Sequence, residues 1–148
     1  MPSRRKAPAR VQVALRVRGG RHAASVLRTA AHRWVRQELS IALVSDREIR
    51  ALNRRWRGKD RATDVLAFPL LEPRSLGDVV ISLDTARRQA REGGWPLATE
   101  LRRLLAHGIL HCRGYDHELA ADARRMAAAE RRLLGAKGMV GDSLSQRG

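Results

Sequence analysis

A single cysteine, Cys112, stands in a chain of 148 residues, so no intramolecular disulfide can form and the natural setting is a reducing compartment. Apolar runs are short. None approaches the roughly 18 residues of a membrane span, and no apolar stretch matches a secretory signal. Aromatic residues make up only 3% of the chain, and no acidic residue occurs before Glu38. Residues 1–37 therefore hold ten Lys or Arg and carry +10, while the twenty basic and fifteen acidic residues that follow add only +5. The net +15 implies a polyanionic partner. With 43% hydrophobic residues the chain can bury a core, which excludes a disordered basic tail. Of the 30 basic residues 27 are Arg, a preference that genomic base composition explains better than function does.

Residues 1–9 read as a basic flexible tail, residues 10–134 as one domain, and residues 135–148 as a second flexible tail. Val11, Val13, Leu15 and Val17 alternate with polar residues, as a half-buried strand requires, and this argues against reading the acid-free start as a transit peptide. Val26, Leu27, Ala30, Trp34 and Val35 recur at helical spacing, and Leu39–Val44 reads as a second strand. Ser45 and Glu48 have the spacing of a capping box at the head of a second helix. Val65–Phe68, closed by Pro69, and Val79–Ser82 are predicted as strands three and four. Three helices follow, near Leu83–Glu92, Pro96–Cys112 and Glu118–Leu134. The pattern predicts a single α+β domain with one mixed sheet of about four strands, covered by about five helices.

Chemistry concentrates in residues 107–117, HGILHCRGYDH. On a helix His107 and His111 lie about 40° apart and about one turn along the axis, at the border of the apolar stripe through Leu101, Leu104, Leu105, Gly108, Ile109 and Cys112. Both imidazoles can reach one metal ion, and His117 joins them if the chain turns back at Gly114. Three imidazoles with an open fourth position form the ligand set of a catalytic zinc site; Cys112, directly after His111, is poorly placed to close it. The bland alternative is three unrelated histidines, as His22 and His32 are taken to be. The spacing equals that of the metzincin peptidases, but Gly108 stands where they carry their general base, which argues against peptide hydrolysis. Asp116 is a candidate base or ligand-orienting acceptor, and equally a turn residue.

The same eleven residues resemble the signature of the YbeY family of bacterial metal-dependent endoribonucleases, which act in ribosomal RNA maturation. Leu52-Asn53, Trp56–Asp60, Thr63–Pro69 and Leu76–Ser82 resemble that family's other blocks in order, and Met126, Glu130 and Leu134 fit its final helix. The resemblance implies a zincin-like site with one zinc ion held by His107, His111 and His117, and Arg57 as the functionally sensitive cation beside it. It also implies single-stranded RNA as substrate, action at the 3′ end of small-subunit ribosomal RNA and in ribosome quality control, association with the ribosome or its small subunit, and a cytoplasmic location; a monomer without a membrane partner is the expectation. A guanidinium suits Arg57's task because it binds phosphate oxygens bidentately, although a charge at a helix C-terminus can equally be solvated. Asn53 and Asp64 have weaker claims and can simply tie the backbone together. The rival readings are a ribosome-associated RNA-binding factor with structural zinc and a metzincin-like peptidase. With only five aromatic residues, base stacking is expected to be minor.

Overall fold

A computed structural model describes residues 10–115 and 120–138. The elements run β1 (Val11–Leu15), α1 (Arg21–Trp34), β2 (Glu38–Val44), α2 (Asp46–Arg57), β3 (Val65–Glu72), β4 (Ser75–Ser82), α3 (Leu83–Gly93), α4 (Leu97–Cys112) and α5 (Ala120–Gly138). The strands form one sheet in the order β1-β2-β4-β3, with β1, β2 and β4 parallel and β3 antiparallel at the edge. Among the described residues, the α+β class, the four-stranded mixed sheet and the five helices stand as expected. The flanking segments 1–9 and 139–148, read as flexible tails, lie outside the described residues.

Because side chains alternate across a strand, β2 and β4 bury both faces. Ile41, Leu43, Val79 and Ile81 enter the main core with α1, α3 and α4, whereas Val44 and Val80 face the opposite way and join Leu66 of β3 and Ile49 of α2 in a smaller cluster. Helix α4 is hidden along most of its length: Leu101, Leu105 and Ile109 face the main core, while Leu110 meets Met126 and Ala129 of α5. The edge strand β3 is thus approached by α2 on one face of the sheet and by α4 on the other.

Three boundaries differ from the sequence pattern. Strand β1 stops at Leu15 rather than Val17. Strand β3 runs through Pro69 to Glu72, and β4 begins at Ser75 rather than Val79. Proline tolerates this position because β3 is an edge strand, where its missing donor leaves no central ladder bond unmade. Opposite it, Gly77 has φ 138°, and a Cβ there would lie 2.3 Å from the Phe68 carbonyl oxygen. In α5, Gly135 breaks the regular helix one residue after the expected end at Leu134.

The start of α2 is built more firmly than a capping box. Ser45 Oγ accepts the Glu48 backbone N–H at 3.2 Å, but the Glu48 carboxylate turns to Arg16, 3.0 Å away, instead of returning to the cap. Asp46 anchors the helix to its neighbours, accepting from the Ser82 and Thr85 hydroxyls at 2.6 Å each and from Arg88 at 2.8 Å. Burial opposes its charge, but these three donors hold the carboxyl below its ordinary range.

Candidate functional site

The last two turns of α4 carry both described histidines of the cluster. His107 and His111 are one turn apart, as the wheel predicts, and their Nε2 atoms approach to 3.1 Å with the rings inclined at 70°. Two nitrogens bound at 2.0–2.1 Å around a tetrahedral ion stand about 3.3 Å apart. The observed spacing fits a shared metal. His107 Nδ1 lies 3.0 Å from Glu130 Oε1 on α5. When that nitrogen carries the proton, the carboxylate accepts it and the Nε2 lone pair is left toward His111. A carboxylate behind a ligand imidazole is a recurring way to fix its tautomer and ring plane.

His117 and Asp116 lie outside the described residues. Among the described residues, no group of three His, Cys, Asp or Glu side chains is arranged to hold a metal ion; His107 and His111, two of the three expected ligands, lie within the described residues and His117 does not. Gly114, at φ 94°, makes the turn expected immediately after α4. Cys112 points into the main core, where burial pushes its thiol up to about 11; it is a protonated packing group at neutral pH.

A cleft of ≈ 310 Å³ opens beside the two histidines, between the edge strand β3 and the end of α2. Arg57, Lys59 and Arg61 line it. Arg57 is the last residue of α2; its Nη2 donates to the Ala67 carbonyl at 2.7 Å, and its guanidinium lies 5.6 Å from the Phe68 ring centroid. The expected cation is therefore in the same cleft as the histidines, held by the edge strand rather than loose in solvent. Gly58 permits the arrangement by ending α2 in the left-handed conformation, φ 68°.

Asn53 and Asp64 also reach the cleft wall, and both prove to be backbone ties. Asn53 is buried and donates to the Arg61 carbonyl at 3.0 Å. Asp64 Oδ1 accepts the Val65 backbone N–H at 2.8 Å, and its Oδ2 accepts from Gln89 at 3.3 Å. It is the only carboxylate among the described residues that line the cleft. Of the two histidines set aside, His32 meets Arg10 at 3.1 Å through Nδ1, and Arg10 also donates to the His32 and Val35 carbonyls at the end of α1. Some of the chain's basic charge therefore closes helix ends.

The chain matches the model of the family described as endoribonuclease YbeY over residues 18–138. It belongs to the YbeY family. Endoribonuclease YbeY of Anaeromyxobacter sp. (strain Fw109-5) is 57% identical over 139 residues, which cover 87% of this chain and 72% of that protein. Endoribonuclease YbeY of Myxococcus xanthus (strain DK1622) is 56% identical over 138 residues, 84% of this chain but only 47% of the longer relative. A solution structure from Thermotoga maritima, 27% identical, superposes with a TM-score of 0.60 and covers 93% of each chain.

Two polar residues behind the histidines, Glu100 and Arg103, have no part in the sequence reading. Glu100, fully buried, accepts from Trp95 Nε1 at 3.0 Å and from Arg103 at 3.1 and 2.9 Å, and Arg103 also feels the charges of Asp64 and Glu130. Residues 100, 103, 107 and 111 follow helical spacing, so this polar stripe is visible on a wheel of α4. Glu130, which the sequence marks only as fitting the family's final helix, stands beside the apolar stripe of Met126, Ala129 and Leu133. Replacing it should act on the histidine pair rather than the fold. We expect Glu130→Gln to weaken zinc binding about 10- to 100-fold, read by competition with a chromophoric chelator, with little change in melting temperature; unchanged zinc affinity would remove Glu130 from the site.

Proposed function

We propose that the chain is an endoribonuclease whose cleft holds one zinc ion on His107, His111 and His117, and that it cuts single-stranded ribosomal RNA during maturation of the small-subunit 3′ end and in ribosome quality control. Family membership supports the RNA-cleaving hydrolase. The observation that carries the metal assignment is the pair of imidazole Nε2 atoms 3.1 Å apart, with Glu130 behind one ring. Zinc, when bound, supplies a Lewis acid and lowers the pKa of its water toward about 7.

The protein's own residues divide the remaining work. Glu130 holds the proton of His107 on Nδ1, away from the cleft. Arg57, oriented by the Ala67 carbonyl, meets a phosphate oxygen and steadies the negative charge that grows as the phosphodiester is attacked. Lys59 and Arg61 draw the strand into the cleft. Asp64 is tied by Oδ1 to the Val65 backbone N–H and by Oδ2 to Gln89 of α3, and we assign the base role to Asp116. The ribosome or its small subunit is the proposed setting, and the cytoplasm the proposed place. No helix among the described residues is long and apolar enough to cross a membrane. The peptidase alternative is disfavoured because Gly108 is packed against the sheet and leaves no room for the missing glutamate.

Metal analysis paired with cleavage of a single-stranded RNA tests the reading. About one zinc per chain is expected. Chelation should abolish cleavage while the far-ultraviolet spectrum is kept, and added zinc should restore it. Cleavage that survives complete removal of metal would sink the metal assignment. A domain that melts on chelation, while any protein left folded still binds RNA, would favour the structural-zinc factor.

A further inference from the structure

Trp56 is 62% exposed, although burying an indole is worth more than burying almost any other side chain. It is not isolated. The Arg55 guanidinium lies 5.2 Å from its ring centroid, and the Phe68 ring stands edge-on to it at 6.5 Å and 68°. Phe68 in turn carries the Arg57 guanidinium at 5.6 Å, and Arg57 and the adjoining Ala67 line the histidine cleft. A continuous path therefore runs from an open indole face through a second aromatic ring to the cation beside the two imidazoles.

The charge around this path selects its ligand. Arg54, Arg55, Arg57, Lys59 and Arg61 are all exposed here, whereas the one acidic residue of the same turn, Asp60, is paired with Arg50 at 2.9 Å. A flat aromatic surface within a field of cations suits a molecule that is polyanionic along its backbone and carries planar rings at intervals. An apolar protein partner would have to bury several unpaired guanidinium groups against it.

We propose that Trp56, with Arg55 and Phe68, is a nucleobase-stacking subsite for the nucleotide that flanks the phosphate seated in the histidine cleft. This rests on the RNA-cleaving reading above and extends it from phosphate capture to base contact. It also supplies a physical reason for preferring single strands, because a paired base is already stacked on both faces and has none to offer the indole. The small number of aromatic residues does not oppose the idea, since placement matters more than number: Trp95 is bonded inward to Glu100, and Trp56 is the only tryptophan among the large exposed hydrophobics of the described residues.

Binding of a labelled ten-nucleotide single-stranded RNA, followed by anisotropy with chelator present to stop turnover, tests the subsite alongside cleavage kinetics of the untreated protein. Trp56→Ala should weaken binding about tenfold and raise KM similarly, with kcat changed less than about threefold. Trp56→Phe should recover most of the loss. An abasic nucleotide scanned along the strand should cost the wild type about as much at one position, and should cost Trp56→Ala nothing further there. Duplex RNA should bind wild type and variant alike. Single-strand binding by Trp56→Ala within twofold of wild type, or an equal loss on duplex, would overturn the subsite. In either case a wild-type chain that still cleaves RNA leaves the parent reading standing, whereas a wild type that neither binds nor cleaves RNA takes both down.

Discussion

His111→Ala is expected to abolish RNA cleavage, by about a thousandfold or more, and to lose zinc, while the domain stays folded. Two arguments set that size. In the proposed three-imidazole site, removing one ligand would leave the ion under-coordinated, and the chemistry that zinc would supply there would be lost with it. The ring itself is only partly buried, at the rim of α4 beside the cleft, so truncating it creates no core cavity and should cost about 1 kcal/mol or less. Metal content, thermal melting and cleavage measured on one preparation separate the two effects. Substantial cleavage by the zinc-free variant, once contaminating ribonuclease is excluded, would contradict the assignment.

Gly108 predicts the opposite combination, with stability lost first. A Cβ built at this position would lie 2.6 and 3.1 Å from the two methyl groups of Val79 and 3.4 Å from Val65, so α4 rides on the sheet with no space for a side chain. Val79 is fully buried in the main core, so a shift there disturbs its packed neighbours. Alanine would ordinarily help a helix by about 1 kcal/mol, yet overpacking of this kind costs about 1–3 kcal/mol, and we expect Gly108→Ala to be destabilised overall. Gly108→Glu, which restores the peptidase residue, should lose more than about 3 kcal/mol, because a carboxylate would be forced into an apolar contact without a partner. Removing the obstruction provides the check. In a Val79→Ala background, Gly108→Ala should become neutral or stabilising in denaturant titration; a penalty of the same size there would show that the clash is not the cause.

The glycine also illustrates what the sequence could reveal. The wheel of α4 placed the histidines at the edge of the buried stripe and Gly108 within it, because spacing along one helix is a local property. That the missing side chain is demanded by Val79 depends on how closely α4 approaches β4, which no spacing encodes. The Glu130–His107 contact is hidden for the same reason: two helices meet there. The sheet order is equally illegible, since β2 pairs with β4 and passes over the intervening β3. Pro69 shows how a sound local rule can mislead: proline usually ends a strand, but at an edge its lost donor faces no neighbour. The Glu100–Arg103 pair, by contrast, was readable by the same 3.6-residue logic that found the histidines.

The bond from Arg57 to the Ala67 carbonyl has a consequence apart from chemistry. Strand β3 forms one open side of the sheet, and an open side offers its free carbonyls and amides to any other extended chain. Arg57 occupies one of those acceptors, Pro69 has no amide to offer, and the register break between Pro69 and Glu72 bends the strand out of line. Together they leave little regular edge on which another molecule could template a fifth strand. Arg57, proposed above to meet phosphate, thus also covers part of the open edge, and any loss of solubility in Arg57→Ala has to be measured separately from loss of cleavage.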